Sequence, residues 1–212
     1  MPILHAPILE QAGFSIGSVT PEPVINYVAR LDGVSQYWST QAVQSSGNQD
    51  WSIEVVGTFS PGGFYLTATK ESEVGRVIVT SSGALFINQT SAGTSLAALQ
   101  AMSDGDCHTV KFSKVGSSAV ITVDDVNFNF PESIGSQALN FNTVGSKWSG
   151  ITSVPYFEGI IKSVSVIVGS IEVIKISLTD KSSGAVQQAD IGGDFTLINY
   201  SSDVWEVDSS AS

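Results

Sequence analysis

Asp104-Gly105-Asp106-Cys107-His108-Thr109-Val110-Lys111-Phe112, followed after a Lys114-Val115-Gly116-Ser117 turn by Ala119-Val120-Ile121-Thr122-Val123-Asp124-Asp125, decides the fold. Both runs are bounded by turn residues, and side chains on a strand alternate between faces. His108, Val110 and Phe112 therefore share one face, and Thr109, Lys111 and Ser113 share the other. A hairpin with one dry and one wet side belongs to an antiparallel sheet packed on a core.

The same pattern recurs outward from this hairpin. Trp51, Ile53, Val55, Gly57 and Phe59 alternate with Ser52, Glu54, Val56 and Thr58, and the strand should end at Pro61-Gly62-Gly63. Further strands are expected at Asn26 to Leu31, Phe64 to Thr69, Arg76 to Thr80, Ala84 to Ile87, Gly159 to Val168, Ile171 to Leu178, Phe195 to Tyr200 and Val204 to Val207. One segment departs from period two. Ser95 to Met102 combines helix formers, Leu at i and i+3 and a Ser able to cap, which predicts one short helix near 95–102.

The chain has 212 residues with 42% hydrophobic content, enough for a real core. Four of its seven prolines (Pro2, Pro7, Pro21, Pro23) fall before residue 25, between Ile3, Leu4, Ile8, Leu9, Phe14 and Ile16. Such a segment cannot be one helix, and it has little to bury alone. We expect an extended Pro-rich arm over 1–24, a sandwich core over 25–168, and C-terminal strands over 169–212 that complete the sandwich or form a small appended β unit.

Charge excludes several partners. With 20 acidic and 9 basic residues the formal charge is −11, which opposes the phosphate neutralisation that nucleic-acid binding rests on. No apolar run approaches the roughly 20 residues that span a bilayer, so no membrane insertion is expected. The N-terminus lacks a basic n-region and is broken by Pro2 and Pro7, so it does not read as a signal peptide. A single cysteine, Cys107, excludes an intrachain disulfide and fits assembly in the cytoplasm.

The order of these pieces resembles the concanavalin A-like lectin and laminin-G superfamily. Ala29-Arg30-Leu31-Asp32-Gly33-Val34-Ser35-Gln36-Tyr37 looks like the family's opening F/L-D-G-x-x-x-Y strand and turn, and Trp51-Ser52-Ile53-Glu54-Val55 like its F-T-I-E-x-W strand. Asp104 to Asp125 looks like D-G-x-W-H-x-V … V-D-G, with Cys107 where Trp is usual and Val126 where a Gly is usual. Tyr156 to Val164 looks like the late F-x-G-x-I-x-x-V strand. The resemblance implies an all-β, two-sheet antiparallel jelly-roll sandwich and makes His108 a structural, hydrogen-bonded histidine. Phe195 to Val207 looks like the closing strands of similar domains in tailed-bacteriophage virion proteins.

Glycosidases of this fold set carboxylates on alternate residues of one strand, and here only Glu71-Ser72-Glu73 alternates, without a third carboxylate. Cys107 and His108 point to opposite faces of one strand and cannot form a dyad there. One Cys and two His disfavour zinc. The expectation is therefore no enzyme and no cofactor, with calcium as the alternative through Asp104, Asp106, Asp124 and Asp125 near the two ends of the hairpin.

Exposed aromatics are the remaining route to a ligand, because pyranose rings stack on Trp and Tyr. Tyr37, Trp38, Trp148 and Tyr156 occupy loop-like sequence and are the candidate platform, whereas Trp51 and Trp205 read as core. The expectation is a non-enzymatic virion structural protein, a capsid decoration or fibre and tail component assembled in the host cytoplasm. Its arm (Ile3, Leu4, Ile8, Leu9, Phe14) would dock on other virion proteins and on copies of itself, a trimer being one arrangement. The alternative is a carbohydrate-binding module or lectin that recognises cell-surface glycans.

Overall fold

The computed structural model describes residues 25–69, 72–146 and 156–209. The expected arm and Trp148 lie outside them, as does Glu71 of the Glu71–Glu73 pair.

Among the described residues, sixteen strands form two antiparallel layers. The first layer contains β1 (Tyr27–Asp32), β3 (Trp51–Phe59), β8 (Cys107–Val115), β9 (Ser118–Val123), β10 (Val126–Asn129), β12 (Glu158–Val168), β13 (Ile171–Ser177) and β16 (Trp205–Val207). They run in the order β10-β9-β8-β3-β12-β1-β16, with β13 paired to the far half of β12. The second layer holds two four-stranded sheets. One is β11 (Asn140–Val144), β2 (Tyr37–Gln44), β15 (Phe195–Ile198) and β14 (Val186–Gln187), ordered β11-β2-β15-β14. The other is β4 (Gly63–Thr69), β5 (Ser72–Thr80), β6 (Ala84–Ile87) and β7 (Thr90–Thr94) in chain order. The Gly145 N–H donates to the Leu66 carbonyl at 2.8 Å and joins the two where β11 meets β4.

Alternation explains the core between the layers. Ile53, Val55, Val110, Phe112, Ile121, Val164 and Val166 of the first layer are buried together with Trp38, Leu66, Val77, Leu85, Phe141 and Phe195 of the second. Phe59 meets Phe157 edge-on, with ring centroids 5.4 Å apart. Trp51 and Trp205 are core residues, as their strand patterns predict. The chain is thus an antiparallel jelly-roll sandwich. Residues after 168 enter both layers: β13 and β16 pair in the first, β14 and β15 in the second.

The helix α1 spans Leu96–Met102, capped by Ser95, whose hydroxyl accepts from the Ala98 N–H. It packs on β9 and buries Ala98, Leu99 and Met102.

Two sequence expectations need correction. Tyr37 and Trp38 are not in a loop but open strand β2, because the Asp32 carboxylate accepts from the Val34, Ser35 and Gln36 N–H groups and closes a tight turn just before them. Lys114, read as part of a turn, continues β8 with its side chain inside. Its ammonium donates to the Gln49 carbonyl at 3.0 Å and lies 4.0 Å from the Asp50 carboxylate, and only Gly116 and Ser117 form the turn.

Candidate functional site

Three places carry polar or aromatic groups: the mouth of the β8–β9 hairpin and the rim around Tyr156, which the sequence singles out, and the outer face of the first layer, which it does not.

At the hairpin mouth, His108 is held between two carboxylates. Its Nδ1 lies 2.6 Å from Asp124 Oδ2 and its Nε2 lies 2.7 Å from Asp104 Oδ1. Asp124 and Asp125 are the two central residues of the β9–β10 hairpin, with φ of 45° and 69°. Those signs define a type I′ turn, which aspartate tolerates. Asp124 also accepts from the Thr109 N–H at 2.9 Å, so its carboxylate is spoken for on both oxygens. Partial burial pushes the His108 pKa down, but the two carboxylate bonds outweigh it and the net direction is up. The His108 bond holds both Asp104 and Asp124 below the usual carboxylate range.

The same geometry places the four aspartates and the Cys107–His108 pair. The four aspartates do not converge. Asp104 and Asp124 are turned onto an imidazole, Asp125 faces the outer surface of β8 and β9, and Asp106 lines a separate depression with Arg30 and Lys162. Among the described residues no group of three or more His, Cys, Asp or Glu side chains is placed to hold a metal ion. Both ring nitrogens of His108 are engaged by carboxylates, and neither faces Cys107.

At the rim, Trp38 is fully buried between β11 and β15 and cannot serve as a platform. Its indole N–H finds no acceptor among the described residues. Tyr37 and Tyr156 stay half-buried and stack on each other, centroids 6.3 Å apart and planes 23° from parallel. The rim therefore brings together two of the four expected aromatics.

The outer face of the first layer is the site that sequence reasoning missed. Cross-strand register aligns Lys175, Ser165, Glu54, Lys111, Thr122 and Asn127 in one row over six strands. A groove of 510 Å³ over β3, β8, β9 and β10 and a depression of 260 Å³ over β12 and β13 both have Glu54 in their walls. The signal was present in the wet side of the hairpin, where Thr109, Lys111 and Ser113 alternate with core residues. What period two could not supply was the register between strands.

No family model and no curated protein matches the sequence. Among solved structures, the mouse laminin alpha1 chain, domains LG4-5, is 17% identical with a TM-score of 0.45, over 70% of this chain and 42% of that one. A heptameric SAP-like pentraxin from Limulus polyphemus is 12% identical with a TM-score of 0.43, over 67% of this chain and 75% of that one. This chain thus spans less than half of the laminin chain it matches.

Proposed function

We propose that the chain is a non-enzymatic virion structural protein whose jelly-roll domain docks on neighbouring subunits and presents its loops outward. The observation that carries the docking reading lies at two of the edges of the first layer. One ends in β10, where Val126 is 58% exposed, and the other in β16, where Val207 is 60% exposed and Ile25 nearby is 56% exposed. β10 reads Val-Asn-Phe-Asn, with neither the charge nor the proline that usually guards an edge strand. Apolar side chains beside unpaired backbone groups gain burial from a neighbouring subunit. The Pro-broken apolar segment over 1–24 joins the domain at Ile25, beside the second edge, and supplies further apolar surface for the same contacts. The net charge of −11 keeps assembled particles apart.

The non-enzymatic reading is supported by how the ionic groups are spent. Asp104 and Asp124 hold His108, Arg30 pairs with Glu206 at 2.8 Å, and Lys162 pairs with Asp208 at 2.7 Å. Electron microscopy of native particles labelled with antibodies against the folded domain tests the reading. Regularly spaced label on the particle surface is expected, and particles that carry none of this chain would overturn it.

A second reading, a carbohydrate-binding module, is favoured by the half-buried Tyr37–Tyr156 stack at the rim, whose rings offer an apolar face to a pyranose. Loss of glycan-array binding in Tyr156→Ala is its test.

A further inference from the structure

We propose that the free edge of β10 pairs with β10 of a second copy of this chain, antiparallel about a two-fold axis at Phe128, so that the first layers of two copies run on as one sheet. The inference rests on the docking reading and names the partner for one of its edges.

Register fixes which backbone groups the edge offers. Asp124 and Asp125 form a two-residue turn, so Val123 and Val126, which close it, exchange hydrogen bonds, and ladder alternation makes Phe128 with Ile121 the next bonded pair. The Phe130 N–H donates to the Ala119 carbonyl at 3.2 Å, in the same phase. The N–H and C=O groups of Asn127 and Asn129 therefore point away from β9, where no strand among the described residues meets them. One symmetric register uses both: Asn127 of each copy opposite Asn129 of the other, with the two Phe128 residues facing each other on the axis. Moving the axis to Asn127 would bring Asp125 into the ladder, and its φ of 69° is not extended. Moving it to Asn129 would bring in Pro131, which has no N–H to give.

The side chains suit a second copy. Val126 to Pro131 holds no ionisable group in a chain of net charge −11, so two copies can meet along this edge without opposing like charges within the ladder. Asp124, just before it, is turned back onto His108. On the inner face the half-buried Phe128 rings meet, and the exposed Val126 of each copy lies opposite Phe130 of the other, so both gain cover. On the outer face Asn127 and Asn129 bring amide to amide, each group able to donate and accept. The β16 edge is shorter and has Glu206 at its centre, so two copies meeting there would oppose acidic groups. A four-residue ladder buries less than the roughly 800 Å² per partner of a standard interface, so the pair is weak alone and persists where other contacts hold copies together.

The test uses the full chain with Cys107→Ser as parent, carrying Asn127→Cys, Phe128→Cys or Asn129→Cys, oxidised and run on non-reducing gels. Sedimentation from about 10 µM to about 1 mM compares the parent with Asn129→Pro, which removes an outward N–H and no bond to β9. Melting curves show that each variant is folded, and Asn129→Pro carries the test should Phe128→Cys fail to fold. Expected is a disulfide dimer from Phe128→Cys above all, since facing residues of a non-hydrogen-bonded pair have Cα atoms about 4.5 Å apart, within the span of a disulfide. The dimer dissociation constant should rise at least about tenfold in Asn129→Pro. Dimers formed best by Asn127→Cys or Asn129→Cys would overturn the register. Self-association without the Phe128→Cys dimer and unchanged in Asn129→Pro would give this edge to another occupant, overturning the pairing and leaving the docking reading standing. A parent that stays monomeric over the whole range would overturn both.

Discussion

His108 and Asp124 lie 2.6 Å apart across the mouth of the β8–β9 hairpin, and with Asp104 on the other ring nitrogen they tie the turn after α1 to the β9–β10 turn. Because the folded state raises the His108 pKa, its contribution is complete below the ordinary value of 6.5 and fades as pH rises through the folded value. The lowered Asp104 and Asp124 contribute above their ordinary 3.8 and lose that contribution as pH falls through their folded values. The cluster is therefore most stabilising between about pH 4 and 6.5. Urea unfolding should give a midpoint that falls from pH 6 to pH 8, and His108→Gln should flatten that slope.

Lys114 is buried to 1% exposure at the end of β8. Lys114→Ala removes the donor to the Gln49 carbonyl and the stem that fills the core beneath it. A loss of about 2–3 kcal/mol is expected from the orphaned acceptor and the cavity together. Chemical denaturation measures it.

β3 and β12 approach closely at two glycines. A Cβ on Gly57 would lie 2.1 Å from the Ile160 carbonyl oxygen, and one on Gly159 would lie 2.1 Å from that of Thr58. Gly159 also has φ of 147°, which side chains rarely adopt. Either alanine variant must push the two central strands apart, and each should cost about 3 kcal/mol or more. Soluble yield and melting temperature should fall in both.

Trp38 and Tyr156 should separate stability from binding. Trp38→Ala empties a fully buried site and should cost about 3–5 kcal/mol. Tyr156→Ala removes a half-buried ring at the rim and should change the melting temperature far less. Thermal denaturation of the two variants checks the contrast.

Much of the fold was legible because period-two alternation is a local signal. β3, β6, β8, β9 and β12 were read within a residue or two, and Ser95 marked the start of α1. The strands missed were those that local pattern describes poorly. β2 reads Tyr-Trp-Ser-Thr-Gln-Ala-Val-Gln, and only Trp38 within it is buried, so its other residues show little alternation. β7, β10, β11 and β14 are short and rich in small or amide residues, and pairing rather than propensity holds them in place. The site was less legible still. Strand alternation separated Cys107 from His108, but that His108 bridges Asp104 and Asp124 depends on where two turns meet. The outward row depends on the alignment of six strands, which no single stretch of sequence encodes.

Light scattering decides the assembly reading. The full chain and a variant lacking residues 1–20 are compared at equal concentration against the 22.2 kDa mass of one chain. The full chain should run as a homo-oligomer and the shortened chain as a folded species of lower mass, since the Pro-rich apolar segment is assigned to contacts between subunits. A full chain that runs as a monomer, or a shortened chain of unchanged oligomeric mass, would contradict the assignment.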